Sequence, residues 1–145
     1  MPELLNVTEG EKYIQLVLND SFYGVPLSEV LEILEMTHLT ELPFVPSYVK
    51  GVMNLRGKMI PVIDLSIRFE QTHVASAESS CIVVFQNEGK NVGVIVDSMG
   101  DIVDAKGKIT AMEQRNDNPF IIGVICGESQ EDRTMLLNMV EVFKK

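Results

Sequence analysis

The stretch VKGVMNLRGKMIPVIDL, Val49 to Leu65, carries two apolar runs separated by a two-residue break. Gly51 to Leu55 and Lys58 to Ile63 read as the arms of a β-hairpin around Arg56-Gly57. Gly57 supplies the positive φ such a turn needs, and the Asn54 side chain is placed to bond the turn backbone. The turn reading leaves Arg56 unexplained, since it puts a long cation at the tip of a hairpin in an acidic protein. A guanidinium suits carboxylates on a partner, so Arg56 stands as a candidate functional residue beside its plain role in the turn. Pro61 within the second arm implies an edge position or a bulge. Asp64 is placed to cap a short helix from Leu65 to Glu70.

Working outward, strand signals dominate. Lys12 to Leu18 and Phe22 to Leu27 flank a turn at Asn19-Asp20. Val30, Leu31, Ile33 and Leu34, interleaved with Glu29, Glu32 and Glu35, fit a short helix and a strand equally well. Pro43 and Pro46 break the chain into a loop. Gln71 to Ser80 is small and polar, a linker. Cys81 to Phe85, the turn Asn87 to Lys90, and Val92 to Val96 form a second hairpin. Asp104 to Asn118 reads as a long polar loop; Phe120 to Ile125 and Thr134 to Leu137 read as strands. Asn138, with Glu141 three residues on, opens a terminal helix.

The two halves resemble each other. A shift of 69 residues lays Gly24 on Gly93, Val25 on Val94, Val30 on Met99, Glu32 on Asp101 and Ile33 on Ile102. Further on, Gly51-Val52 corresponds to Gly123-Val124, and Ile63-Asp64-Leu65 to Leu137-Asn138-Met139. The physical reading is two similar five-stranded units, subdomains at about 12–70 and 80–145, within one domain spanning 1–145. Units of that size close poorly alone, so a shared core is expected. Val30, Ile33, Met99 and Ile102 then either pack a seam or line a groove, and the residue pattern by itself favours packing.

A chain of 145 residues with 46% hydrophobic and 23% charged residues is expected to be one globular domain. The net charge of −9 argues against nucleic acid and against docking on an anionic membrane. No signal peptide and no spanning segment are read, so an intracellular protein is expected. Cys81 and Cys126 lie in apolar runs and read as core thiols. His38 and His73 give no close metal-ligand spacing, so neither a metal nor a cofactor is expected. Asp97, Asp101 and Asp104 read as a solvated acidic face, because no calcium-loop glycine or closing glutamate follows. An enzyme or small-ligand sensor built on that segment is the competing functional class.

The Val49–Leu65 block resembles the signature of the CheW-like chemotaxis coupling family. The resemblance runs upstream through Phe22-Tyr23-Gly24-Val25, Val30-Leu31-Glu32-Ile33 and Leu42-Pro43. Downstream it takes in Val92-Gly93-Val94-Ile95-Val96-Asp97 and Gly123-Val124 to Phe143. It implies a mostly-β fold of two SH3-like five-stranded barrels sharing a hydrophobic core, with short helices. It implies a non-enzymatic, cytoplasmic adaptor, monomeric when free and recruited to membrane receptor arrays. Its partners would be the cytoplasmic tips of methyl-accepting chemoreceptors and the regulatory domain of the histidine kinase CheA, which has the same fold. By position, a receptor groove between the barrels would involve Ile14, Leu27, Val30, Ile33, Met99, Ile102 and Arg56. The kinase face would lie near Leu42, Pro43 and Met53. A related adaptor serving a pathway that drives pili or gene expression has the same sequence signature.

Overall fold

The computed structural model describes residues 12–19, 21–69, 80–87, 89–104, 109–111, 120–126 and 133–143. Eleven strands are defined there: β1 (Lys12–Leu18), β2 (Ser21–Pro26), β3 (Val30–Glu35), β4 (Val49–Leu55), β5 (Lys58–Asp64), β6 (Cys81–Asn87), β7 (Lys90–Val96), β8 (Ser98–Asp104), β9 (Ile109–Ala111), β10 (Ile121–Cys126) and β11 (Arg133–Leu137). A 3₁₀ turn (Leu27–Glu29) precedes β3, and two short helices follow β5 and β11: α1 (Leu65–Arg68) and α2 (Met139–Phe143). The linker at 71–80 lies outside the described residues except for Ser80.

The strands form two sheets, ordered β8-β1-β2-β11-β10-β9 and β3-β6-β7-β5-β4. They correspond to two compact units, one made of Met1–Ser28 with Met99–Lys145 and the other of Glu29–Ser98. The two sheets share one plan. Hairpin β1–β2 matches hairpin β6–β7, β11 runs parallel to β2 as β5 runs parallel to β7, and β10 and β4 pair outside them. The first sheet is extended by the three residues of β9, which fall inside the stretch expected to be a long loop.

The repeat boundaries and the unit boundaries differ. After β2 the chain leaves its sheet and builds β3, β4 and β5 in the other; after β7 it returns to build β8 through β11. Each sheet therefore combines the hairpin of one half with the remaining strands of the other. The division at 70–80 expected from sequence corresponds to neither sheet.

The paired glycines of the repeat mark equivalent places in the two plans. Gly24 lies opposite Leu136 in the β2–β11 pair and Gly93 opposite Val62 in the β7–β5 pair. A Cβ at Gly24 would stand 2.8 Å from Thr134 Cγ2, and one at Gly93 2.9 Å from Ile82 Cγ2. Gly51 and Gly123 both follow a register shift, one in β4 and one in β10. The main-chain N–H of Asp64 donates to Tyr48 O at 2.8 Å, and that of Asn138 to Phe120 O at 2.8 Å. Asp64 also caps α1, its Oδ1 accepting from the amides of Ser66 and Ile67 at 2.9 and 3.3 Å.

Pro61 is not on an edge strand: β5 lies between β7 and β4. It is tolerated because its partner Val52 exchanges both backbone hydrogen bonds with Thr40, each 2.9 Å, on the opposite side of β4. The Val52–Pro61 pair is thus of the non-hydrogen-bonded kind, and the β5–β7 register opens only at Val62. In the second unit Met53, Ile60, Val62, Ile82, Val84 and Ile95 form the core, with Leu34, Leu39 and Leu55 packed on it. Both edge strands, β3 through Leu34 and β4 through Met53, thus contribute to one core, as a closed barrel requires. In the first unit Tyr13, Ile125 and Leu136 cluster, with Val103 and Ile122 against them.

Gly51 has φ +148°, and a Cβ there would stand 2.4 Å from Thr40 O. Gly51→Ala should destabilise the protein by about 2–4 kcal/mol, read by urea unfolding at unchanged m-value.

Candidate functional site

The β4–β5 turn is closed by the Leu55–Lys58 pair, and both of its central residues are left-handed: Arg56 at φ 51° and Gly57 at 86°. This is the two-residue hairpin that suits strand twist, a place ordinarily taken by Asn-Gly or Asp-Gly. Asn54 Oδ1 accepts from the Gly57 amide at 2.9 Å. Arg56 holds a backbone conformation that does not favour it, and its side chain shows what it does there. Its Nη1 and Nη2 donate to the two Glu32 carboxylate oxygens at 2.5 and 2.8 Å. Glu32 belongs to β3, at the opposite edge of the same sheet from β4. A fork-to-fork pair therefore ties the hairpin tip to the far edge strand. The guanidinium that sequence assigned to a partner's carboxylate is engaged with a carboxylate of its own chain, while the Arg56 side chain stays 73% exposed.

The β3 segment resolves as a strand. Its register against β6, Ile33 opposite Val83 and Leu34 opposite Ile82, sends alternate residues to opposite faces. Leu34 joins the core, while Leu31 and Ile33 face solvent, Ile33 at 45% exposure. Val30 is half-buried. In the other unit, β8 repeats the pattern. Val103 packs inward and Ile102, the counterpart of Ile33, is 54% exposed; Met99 is half-buried. Gln15 anchors β8: its Oε1 accepts from the Asp101 amide at 2.9 Å and its Nε2 donates to Thr134 Oγ1 at 2.8 Å.

The remaining expected residues divide by burial. Leu27 is half-buried in the 3₁₀ turn; Leu42 and Pro43 are exposed. Ile14 is buried, so it offers a partner almost no surface. Met53, expected at a kinase face, is a correction: it is 3% exposed and belongs to the barrel core, because β4 sends it inward. Among the described residues, five exposed apolar side chains escaped sequence reasoning: Leu31, Met36, Phe44, Val45 and Met59. Strand alternation with Ile33 would have flagged Leu31 once β3 was settled as a strand. The Cys81 thiol is half-exposed, and partial burial raises its pKa. Among the described residues no group of three or more His, Cys, Asp or Glu is arranged to hold a metal ion, and no helix is long and apolar enough to cross a membrane.

Residues 12–145 match the family model described as the CheW-like domain. The chain belongs to the CheW-like family. The chemotaxis protein CheW of Klebsiella aerogenes is 32% identical over 101 residues, covering 70% of this chain and 61% of that protein. The chemotaxis protein CheW of Helicobacter pylori is 26% identical over 140 residues, covering 92% of this chain and 82% of its own length. The chain thus aligns with about three fifths of the Klebsiella protein. Among solved structures, the scaffolding protein TtCheW of Thermoanaerobacter tengcongensis superposes with a TM-score of 0.87 at 24% identity, over 94% of each chain. That likeness carries the fold, two SH3-like barrels.

The Arg56 guanidinium and its hydrogen bonds hold the Glu32 carboxyl below its usual value of 4.5. A depressed folded pKa contributes stability above the unfolded value and loses it as pH falls through the folded one. The melting-temperature difference between the wild type and Arg56→Ala should therefore be small and constant near neutrality. It should begin to decline as pH falls to about 4.5, vanish only below the depressed folded value, and shrink in high salt, as thermal melts across pH will read.

Proposed function

We propose that this protein is a non-enzymatic chemotaxis adaptor that couples transmembrane chemoreceptors to the histidine kinase CheA and helps build signalling arrays. The observation that carries the reading is the family match across residues 12–145, which includes the Asn54–Gly57 hairpin. The surface chemistry agrees with it. Ile33 and Ile102 hold equivalent places on the two edge strands β3 and β8, and both present branched apolar side chains to solvent. Such residues suit the apolar face of an amphipathic helix, and a receptor tip is a helical hairpin. The kinase would be met through its same-fold regulatory domain, with the exposed Leu42 and Pro43 on that face. The protein would work in the cytoplasm and join the membrane through its receptors.

An adaptor without chemistry alters kinase output only by binding receptor signalling states with different affinity. A tenfold preference corresponds to about 1.4 kcal/mol, well within the reach of a few apolar contacts.

Ile33→Asp and Ile102→Asp should each weaken binding to a receptor cytoplasmic fragment about tenfold or more, with a native circular dichroism spectrum, because both side chains are already half in water. Titration calorimetry with the folded variants checks this; wild-type affinity in both would remove these residues from the receptor face.

A further inference from the structure

Gln15 is a half-buried amide on β1 whose two polar atoms bond to two other strands. Its Oε1 accepts from the Asp101 amide of β8 at 2.9 Å, and its Nε2 donates to Oγ1 of the buried Thr134 of β11 at 2.8 Å. A main-chain N–H can only donate, so the Asp101 bond fixes which way the carboxamide points. Glycines on both sides make room for it. A Cβ at Gly100 would stand 2.6 Å from Gln15 Oε1 and 2.9 Å from Gln15 Cβ. Gly24 lies directly opposite Gln15, and a Cβ there would stand 2.8 Å from Thr134 Cγ2. Two positions without side chains therefore open the route from β8 across β1 and β2 to β11.

The other unit shows that this sheet plan does not require such a bridge. The 69-residue shift lays Gln15 on Val84 and Gly100 on Leu31. There β3 passes Phe85 and Val84 with a register shift between Val30 and Glu32, and valine has no side-chain acceptor to offer. Glu32 is held by Arg56 through its carboxylate, and its counterpart Asp101 by Gln15 through its amide. What the Gln15 bridge holds is the stretch of edge strand β8 that carries the half-buried Met99 and the exposed Ile102.

We propose that Gln15 is a positioning residue for receptor recognition. By holding the Asp101 amide it sets where β8 presents Ile102, while its own side chain lies off the contact face. The proposal rests on the adaptor reading above and adds to it a residue that acts through another. An edge strand fixed before binding has less freedom left to lose on association.

Gln15→Met keeps the length of the side chain and removes both bonds. In the folded full chain the Asp101 amide should exchange with solvent about tenfold faster or more, while amides of the β6–β7 hairpin keep their rates. Affinity for a receptor cytoplasmic fragment should fall about threefold to tenfold, and affinity for the kinase regulatory domain should hold. Gly100→Ala pushes the carboxamide aside from the facing strand and should reproduce the selective loss; it carries the test if Gln15→Met does not fold. Gln15→Glu, whose carboxylate can accept from both the Asp101 amide and the Thr134 hydroxyl, should return exchange and receptor affinity close to wild type. Unchanged Asp101 exchange, or fast exchange with wild-type receptor affinity, would overturn the positioning role and leave the adaptor reading standing. Equal losses toward receptor and kinase would do the same, since they mark a purely structural role. Failure of the wild type itself to bind the receptor fragment would overturn both.

Discussion

Each unit depends on a parallel strand pair between segments far apart in the chain, β2 with β11 and β7 with β5. Without that pair the first sheet falls into two three-stranded pieces and the second into a three-stranded piece and a hairpin, none of them a complete barrel. The close approach is possible because Gly24 and Gly93 carry no side chain opposite Leu136 and Val62. The consequence is topological. Cutting the chain near its middle leaves each half with strands from both sheets and a complete set for neither, so neither half holds the means to fold. The internal repeat records two similar sequences, and the exchanged strands turn them into one folding unit.

Within that frame two residues occupy left-handed turns for which glycine or asparagine is the ordinary choice, and they use the position differently. Arg56 turns its reach inward and clamps Glu32, joining the hairpin tip to the opposite edge strand. Its exposure makes the pair a weak contributor to global stability and a better determinant of local geometry. Phe44 turns outward into solvent. Backbone strain gives no account of function by itself; what the side chain reaches is a separate observation.

The membership of β3 shows where sequence reasoning runs short. Val30 to Leu34 satisfies a helical and an extended period alike, because four apolar residues in five fit nearly any face. Pairing with β6 settles the matter and makes Leu31 and Ile33 face solvent while Leu34 joins the core. Pro61 is a second case. Proline argues for an edge, yet β5 is interior, because Thr40 takes the hydrogen bonds of its cross-strand partner. The register against β4, and a β7 pairing that begins only at Val62, made the difference, and no pattern local to β5 announces them. Met53 is a third: its neighbours in the family signature suggested a partner face, while the register of β4 turns it into the core.

By itself the sequence determined the β class, the duplication, the Asn54–Gly57 turn, the Asp64 cap and the family, because these are written in local spacing and in residue types with narrow conformational uses. Only the tertiary structure decided which half contributes which strands, the inward bond of Arg56, the burial of Ile14 and Met53, and the exposure of Phe44. Those outcomes depend on contacts between residues tens of positions apart. The free energy of such contacts is set by which surfaces meet, and a pattern confined to a few neighbouring positions carries no term for it.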